Sequence, residues 1–219
     1  MSADAADRQR TFLPARARIT RRHLLGGLAT GVLAGAVPVA AADARCLSRL
    51  LDRRRMVRRF TDAAVDDATV TRLLDAARRA PSAGDTEPWA FVLVRDAEQR
   101  RALAEAAHGQ AFVAAAPVVI AVCADTRRAR PRYGERAVRY GWIDAAFASM
   151  LLLLAVAEAG LGACFVGAFD DETVRRRLGL PDGVLPAALI PVGHPAETPR
   201  GKRRRPASEV VHRERWDAR

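Results

Sequence analysis

Apolar residues recur along this chain with a helical period in some stretches and as short unbroken runs in others, and from Ala44 onward they read as a mixed α and β arrangement. Cys46–Arg54 is a short helix with Leu47, Leu50 and Leu51 on one face. Val65–Arg79 is a stronger helix: Asp66 is placed to cap it, Val70, Leu73, Leu74 and Ala77 follow the i, i+3, i+4, i+7 spacing, and Pro81 ends it. Ala90–Arg95 reads as a strand, and Asp96–Ala107 as a helix opened by Asp96 with Gln99 in the capping-box position. Pro117–Cys123 is almost wholly β-branched or apolar, the pattern of a central strand buried on both faces. Ala163–Ala168 and Ala187–Val192 are further strands, and Asp170 caps a helix that ends near Leu178.

One segment departs from simple amphipathicity. Trp142–Ala159 is apolar almost all round, interrupted mainly by Asp144, Ser149 and Glu158. Such a helix is a core element, an oligomer interface or a membrane span. Its longest apolar part, Ala145–Ala157, is 13 residues, well short of the roughly 20 a bilayer needs. The pattern therefore predicts a central helix shared with a second subunit, and no stable membrane insertion.

The chain has 219 residues and a formal charge of +11, enough length for one domain with a full core beside an N-terminal extension. The charge comes from 35 arginines and a single lysine, Lys202, with no asparagine anywhere. Seven Phe, three Trp and two Tyr offer little aromatic interleaving for base stacking. No nucleic-acid partner is expected. Cys46, Cys123 and Cys164 lack metal-like spacing, and His23, His108, His194 and His212 form no local ligand pair, so no metal site is expected either.

Arg8, Arg10, Arg16, Arg18, Arg21 and Arg22 precede a weakly apolar stretch, Leu24–Ala42, that is rich in glycine. The run TRRHLL at Thr20–Leu25 resembles a twin-arginine export signal, and Ala40–Ala42 offers a small-residue cleavage site. An uncleaved anchor is the competing reading, disfavoured by the glycines. Residues 1–42 are thus expected to be a signal segment in transient contact with export machinery, and residues 43–219 a periplasmic or exported domain, or a cytoplasmic one if the signal does not function. Removing the segment takes away six arginines and two aspartates, which lowers the charge from +11 to +7.

Two short runs carry the chemistry. RRMVRRF, Arg54–Phe60, sets arginines around a hydrophobic turn, and APSAGDTEPW, Ala80–Trp89, is a loop of small residues ending on an aromatic ring. Guanidinium forks match phosphate geometry, and small residues let backbone approach a flat ligand. The pair suits a phosphorylated, planar cofactor.

Together with GQAFVAAAPVVIAVCA, GLGACFVGAF at Gly160–Phe169, PVGHPAE and KRRRP, these runs resemble, in order, the FMN-dependent nitroreductase family of flavin oxidoreductases, over roughly Cys46–Trp216. The resemblance implies an α+β fold: a three-layer sandwich with a central mixed, mostly antiparallel sheet flanked by helices. It also implies an intertwined homodimer with two FMN molecules at the interface, and NAD(P)H as electron donor to a small aromatic, quinone or nitro acceptor. Because NAD(P)H is expected inside the cell, either the signal does not function, or the exported protein needs another donor or acts as a dehydrogenase or oxidase on its own substrate. A flavin-binding module without turnover is the reading from another class.

By the same resemblance, Arg54, Arg55, Lys202 and Arg204 converge on the flavin phosphate. Arg58 faces the pyrimidine edge, where reduction places negative charge. Met56 stands at a usual serine and offers only its backbone. Pro81, Ser82, Ala83 and Asp85 belong to the loop that reaches FMN from the partner subunit, with Asp85 where many members carry asparagine. Gln110 bonds the pyrimidine edge or is a plain helix-surface residue, and the backbone of Val166 and Gly167 approaches flavin N5. No catalytic acid, base or nucleophile is assigned, since the cofactor carries the hard chemistry.

Overall fold

The structure is a computed structural model that describes residues 44–216, so the signal segment expected at residues 1–42 lies outside the described residues. Four strands make one sheet in the order β1-β2-β4-β3: β1 is Trp89–Val94, β2 Val118–Asp125, β3 Gly162–Ala163 and β4 Val184–Gly193. All three pairings are antiparallel. The mixed character expected of the sheet survives only as an isolated parallel bridge between Met56 and Ala163.

Strand β2 explains the layering. Seven of its eight residues are buried, because alternate side chains feed two different cores. Val118, Ile120 and Val122 pack on one face with Val70 and Leu73 of α2 (Asp67–Ala77) and Leu152 of α6 (Arg136–Glu158). Val119 and Ala121 pack on the other with Leu103 of α3 (Ala97–Ala106), Val113 of α4 (Ala111–Ala115) and Val174 of α7 (Asp171–Leu178). The result is an α/β/α sandwich. The remaining helices are α1 (Ala44–Arg53), α5 (Thr126–Tyr133) and α8 (Ala207–Val210).

Helix starts follow the capping chemistry. The carboxylates of Asp66, Asp96 and Asp170 accept from the backbone N–H groups of Thr69, Gln99 and Thr173 at 2.7, 2.7 and 2.8 Å. The capping box predicted for α3 is only half formed: the Gln99 amide donates to the Arg177 carbonyl at the end of α7, tying two helices together. The strand predicted at Ala163–Ala168 is likewise cut short. Cys164 still donates to Pro191 at 3.3 Å, but the Phe165 N–H turns to the Met56 sulfur and only Val166 rejoins the ladder, by a bridge to Leu189.

Helix α6 is longer than the pattern predicted, starting at Arg136 instead of Trp142. Its length and composition would let it cross a bilayer, yet Ala145, Ala148, Leu152 and Val156 are at most 1% exposed inside the domain. The opposite flank carries Trp142, Ile143, Phe147 and Met150, each 37–47% exposed. Leu47 and Leu51 of α1 are also open to solvent.

Candidate functional site

After α1 the chain extends alongside β3. Met56 bridges Ala163, and the Val57 N–H donates to the Ala163 carbonyl at 2.9 Å. The approach requires glycine on β3, since a Cβ at Gly162 would sit 2.7 Å from Val57 Cγ1. The backbone N–H groups of Arg58 and Arg59 both donate to Glu197 Oε1, at 2.6 and 3.1 Å. That carboxylate ties the arginine run to the segment leaving β4, and so brings the basic tail against it.

Between them lies a cleft of about 510 Å³ lined by Arg54, Arg55, Met56 and Arg58 on one side and Gly201, Lys202 and Arg204 on the other. Arg55 Nη1 donates to the Arg54 carbonyl at 2.9 Å, and a Cβ at Gly201 would come within 3.0 Å of Arg55 Nη2. Arg54 Nη1 is buried with no hydrogen-bond partner among the described residues. Six cations, Arg200 among them, converge here on a wall whose one carboxylate is Asp52. A buried guanidinium donor without an acceptor is costly, and a phosphate dianion satisfies it with charge-assisted bonds. These residues fit the phosphate end of FMN.

The far end of the cleft is organised by Arg58. Its guanidinium stands over the Phe112 ring, 5.6 Å from the centroid. Burial pushes the Cys164 thiol up, with the Arg58 charge opposing, so the cation also faces that segment. Met56 Sδ accepts the Phe165 N–H at 3.4 Å. Gln110 Nε2 donates to the carbonyls of Ala107 and Ala168, at 2.9 and 3.2 Å. The second bond ties the start of α4 to the segment that follows Val166.

The two backbone amides expected at flavin N5 differ. Val166 exchanges both its backbone bonds with Leu189, at 3.0 and 2.9 Å, so its N–H is already committed and the expectation for it is corrected. Gly167 is exposed, and its N–H makes no hydrogen bond among the described residues.

The loop with Pro81, Ser82, Ala83 and Asp85 does not line this cleft. It packs on α5 and on the first half of α6, where the Ala83 N–H donates to both carboxylate oxygens of Asp144 at 3.2 and 3.1 Å. The second half of α6, Leu153 and Val156, backs the Arg55–Val57 segment. At about 1.5 Å per residue the two places are roughly 14–18 Å apart along the helix. Ser82 Oγ accepts the Glu87 N–H at 3.0 Å, and Asp85 is exposed with φ +58°, the left-handed region. Pro81 is exposed.

One chain thus gathers Arg54, Arg55, Met56, Arg58, Lys202 and Arg204, with Gln110 and Gly167 at the Arg58 end, and keeps the loop apart. Glu197, Phe112 and Asp144 were missed. Asp144 did leave a signal, as the first carboxylate inside an otherwise apolar helix, but its partner is fixed only by the fold.

The profile of the nitroreductase family matches residues 51–115 and 108–194. An NADH dehydrogenase of Thermus thermophilus is 36% identical over 187 residues, covering 73% of this chain and 91% of that protein. An FMN reductase (NAD(P)H) of Bacillus subtilis is 29% identical over 180 residues, covering 76% and 72%. Among solved structures, the NADPH:FMN oxidoreductase of Vibrio harveyi complexed with NAD+ superposes with a TM-score of 0.72 at 27% identity, covering 78% of this chain and 77% of that one.

Proposed function

Because the chain belongs to the nitroreductase family, we propose that it is an FMN-dependent oxidoreductase that moves electrons from NAD(P)H to a small acceptor. The observation that carries this reading is the meeting of two basic segments around the buried, unpartnered Arg54 Nη1. Arg54, Arg55, Lys202 and Arg204 would hold the phosphate, and Met56 and Gly167 would flank the ring. Bound FMN would supply a ring that takes hydride at N5 from a reduced nicotinamide and gives electrons to a second ligand. Arg58 sets a fixed positive charge beside the pyrimidine edge, which favours the reduced, more negative cofactor. The Gly167 N–H supplies a donor toward N5, and no side chain acts as nucleophile. Burial pushes the Cys123 thiol up to about 12, which removes it from thiolate chemistry at neutral pH.

The working unit of this reading is a homodimer. Trp142, Ile143, Phe147 and Met150 give α6 an open apolar flank, and a second copy covers it. The same copy brings the Pro81–Asp85 loop to a cleft that its own chain's loop does not line. Residues 1–42 carry the twin-arginine pattern, and export of the folded, loaded protein is the localisation proposed; NAD(P)H serves the protein inside the cell, and once exported it would have to draw on another donor. Fractionation of cells producing the full chain tests it, with a cytoplasmic, uncleaved protein as the refuting result.

The first test of function is a titration of the purified full chain with FMN under anaerobic conditions, followed by NADH or NADPH. Stoichiometric binding and bleaching of the flavin absorbance are expected. A chain that takes up no FMN refutes the reading, and one that binds FMN but is not bleached by either nucleotide refutes NAD(P)H as donor.

A further inference from the structure

Asp144 is 2% exposed in the middle of the domain, and among the described residues its carboxylate accepts from one group alone, the Ala83 N–H. Burial pushes its carboxyl above the usual aspartate range, and that single backbone bond only partly offsets the effect. A carboxylate held in a core by one amide is poor material for stability, because desolvation disfavours it and an apolar residue of similar size would pack without that cost. What it accomplishes is positional. Ser82 is extended, at φ −136° and ψ 153°, and the chain then turns through Ala83–Asp85 with Gly84 at φ +55°.

The turn is gripped from two helices, at Ala83, Gly84 and Thr86. Asp144 of α6 takes the Ala83 amide, while from α5 Arg132 Nη1 donates to the Gly84 carbonyl at 3.1 Å and Arg128 Nε to the Thr86 carbonyl at 2.9 Å. A Cβ at Gly84 would meet the Tyr133 hydroxyl at 2.4 Å, so the turn also lies flat against α5. The arginine contacts involve exposed side chains. Asp144 is the buried member of the grip.

We propose that Asp144 is a positioning residue of the cofactor site: through the Ala83 N–H it fixes the Pro81–Asp85 turn in the shape presented to the cleft of a second copy. The inference rests on the dimeric flavin reading above. It makes the buried helix that carries the dimer face also the element that aims the loop across it.

Two substitutions isolate the contact from its two ends. Asp144→Ala removes the acceptor. Ala83→Pro removes the donor and leaves the carboxylate; its ring is compatible with the extended residue before it. FMN affinity is read by quenching of flavin fluorescence, dimerisation by sedimentation, and loop order by hydrogen exchange of the 82–87 amides. Both variants should remain dimeric, bind FMN about tenfold more weakly and exchange faster in the loop. Asp144→Asn, which keeps an acceptor oxygen, should return affinity to within about threefold of wild type. The expected tenfold corresponds to about 1.4 kcal/mol. If Asp144→Ala fails to fold, Ala83→Pro and Asp144→Asn carry the comparison. A wild-type chain that binds no FMN or stays monomeric overturns the underlying reading and this inference with it. A wild type that does both, with Ala83→Pro or Asp144→Ala matching its affinity and loop exchange, overturns the role of Asp144 alone.

Discussion

At the scale of single residues, the cleft is an arrangement of charges awaiting a counter-charge. Arg55 is held by the Arg54 carbonyl and backed by Gly201, and Lys202 faces it across the opening. Replacing either cation by alanine should weaken FMN binding about ten- to a hundredfold, the loss of one charge-assisted bond. Isothermal titration reads the change, and the melting temperature without cofactor should barely move. Arg58→Gln should instead lower the flavin potential by roughly 30 mV, since for a two-electron couple that is about 1.4 kcal/mol of lost charge stabilisation. Equilibration with a reference dye would show it. Acid sensitivity has a definite sign as well. Hydrogen bonds from Thr69, Arg127 and Thr173 hold the carboxyls of Asp66, Asp125 and Asp170 below their ordinary value. The stability they add is present above about pH 4 and lost as pH falls through their lowered values. Asp144, raised by burial, contributes in the opposite sense: its part is lost as pH rises through its own higher value. The urea midpoint should therefore drop between about pH 4 and pH 2, where the three lowered carboxyls take up protons and Asp144 is already protonated, and less steeply in an Asp66→Ala, Asp170→Ala double variant.

Whole elements were legible where a cap met a clear period. Helices α2, α3 and α7 begin at Asp66, Asp96 and Asp170 as their sequences predict, and β2 is buried on both faces as its apolar run implies. Helix α5 was not legible, because TRRARPRY has no apolar stripe and carries Pro131 inside. Strand β4 starts at Val184, before the predicted Ala187, and accommodates Pro186 at a register shift opposite Cys123. The arginine cleft could be read only through the order of motifs, because no local pattern reveals that Glu197 draws the tail onto Arg58 and Arg59. For α6, burial separates two roles that sequence merges. Leu152→Ala opens a void beneath the sheet and should cost about 2–5 kcal/mol in urea denaturation. Phe147→Glu, on the open flank, should leave the fold intact and turn the sedimentation profile from dimer to monomer.

For the molecule as a whole, the decisive feature is where the cleft's two walls originate. Arg54–Arg58 follow the first described helix and Gly201–Arg204 precede the last, roughly 140 residues later in the chain. Without an anion between them these walls repel. Any ligand that neutralises them adds its binding free energy to the attachment of the carboxy-terminal segment. Trypsin should therefore cut at Arg200–Arg204 readily in the flavin-free protein and several-fold more slowly at saturating FMN, as mass spectrometry of the fragments would record. Equal cutting rates would mean the tail is anchored without help. Cofactor release and loosening of the chain's end are then a single equilibrium, so the protein's lifetime among proteases becomes a gauge of how much flavin the cell has supplied.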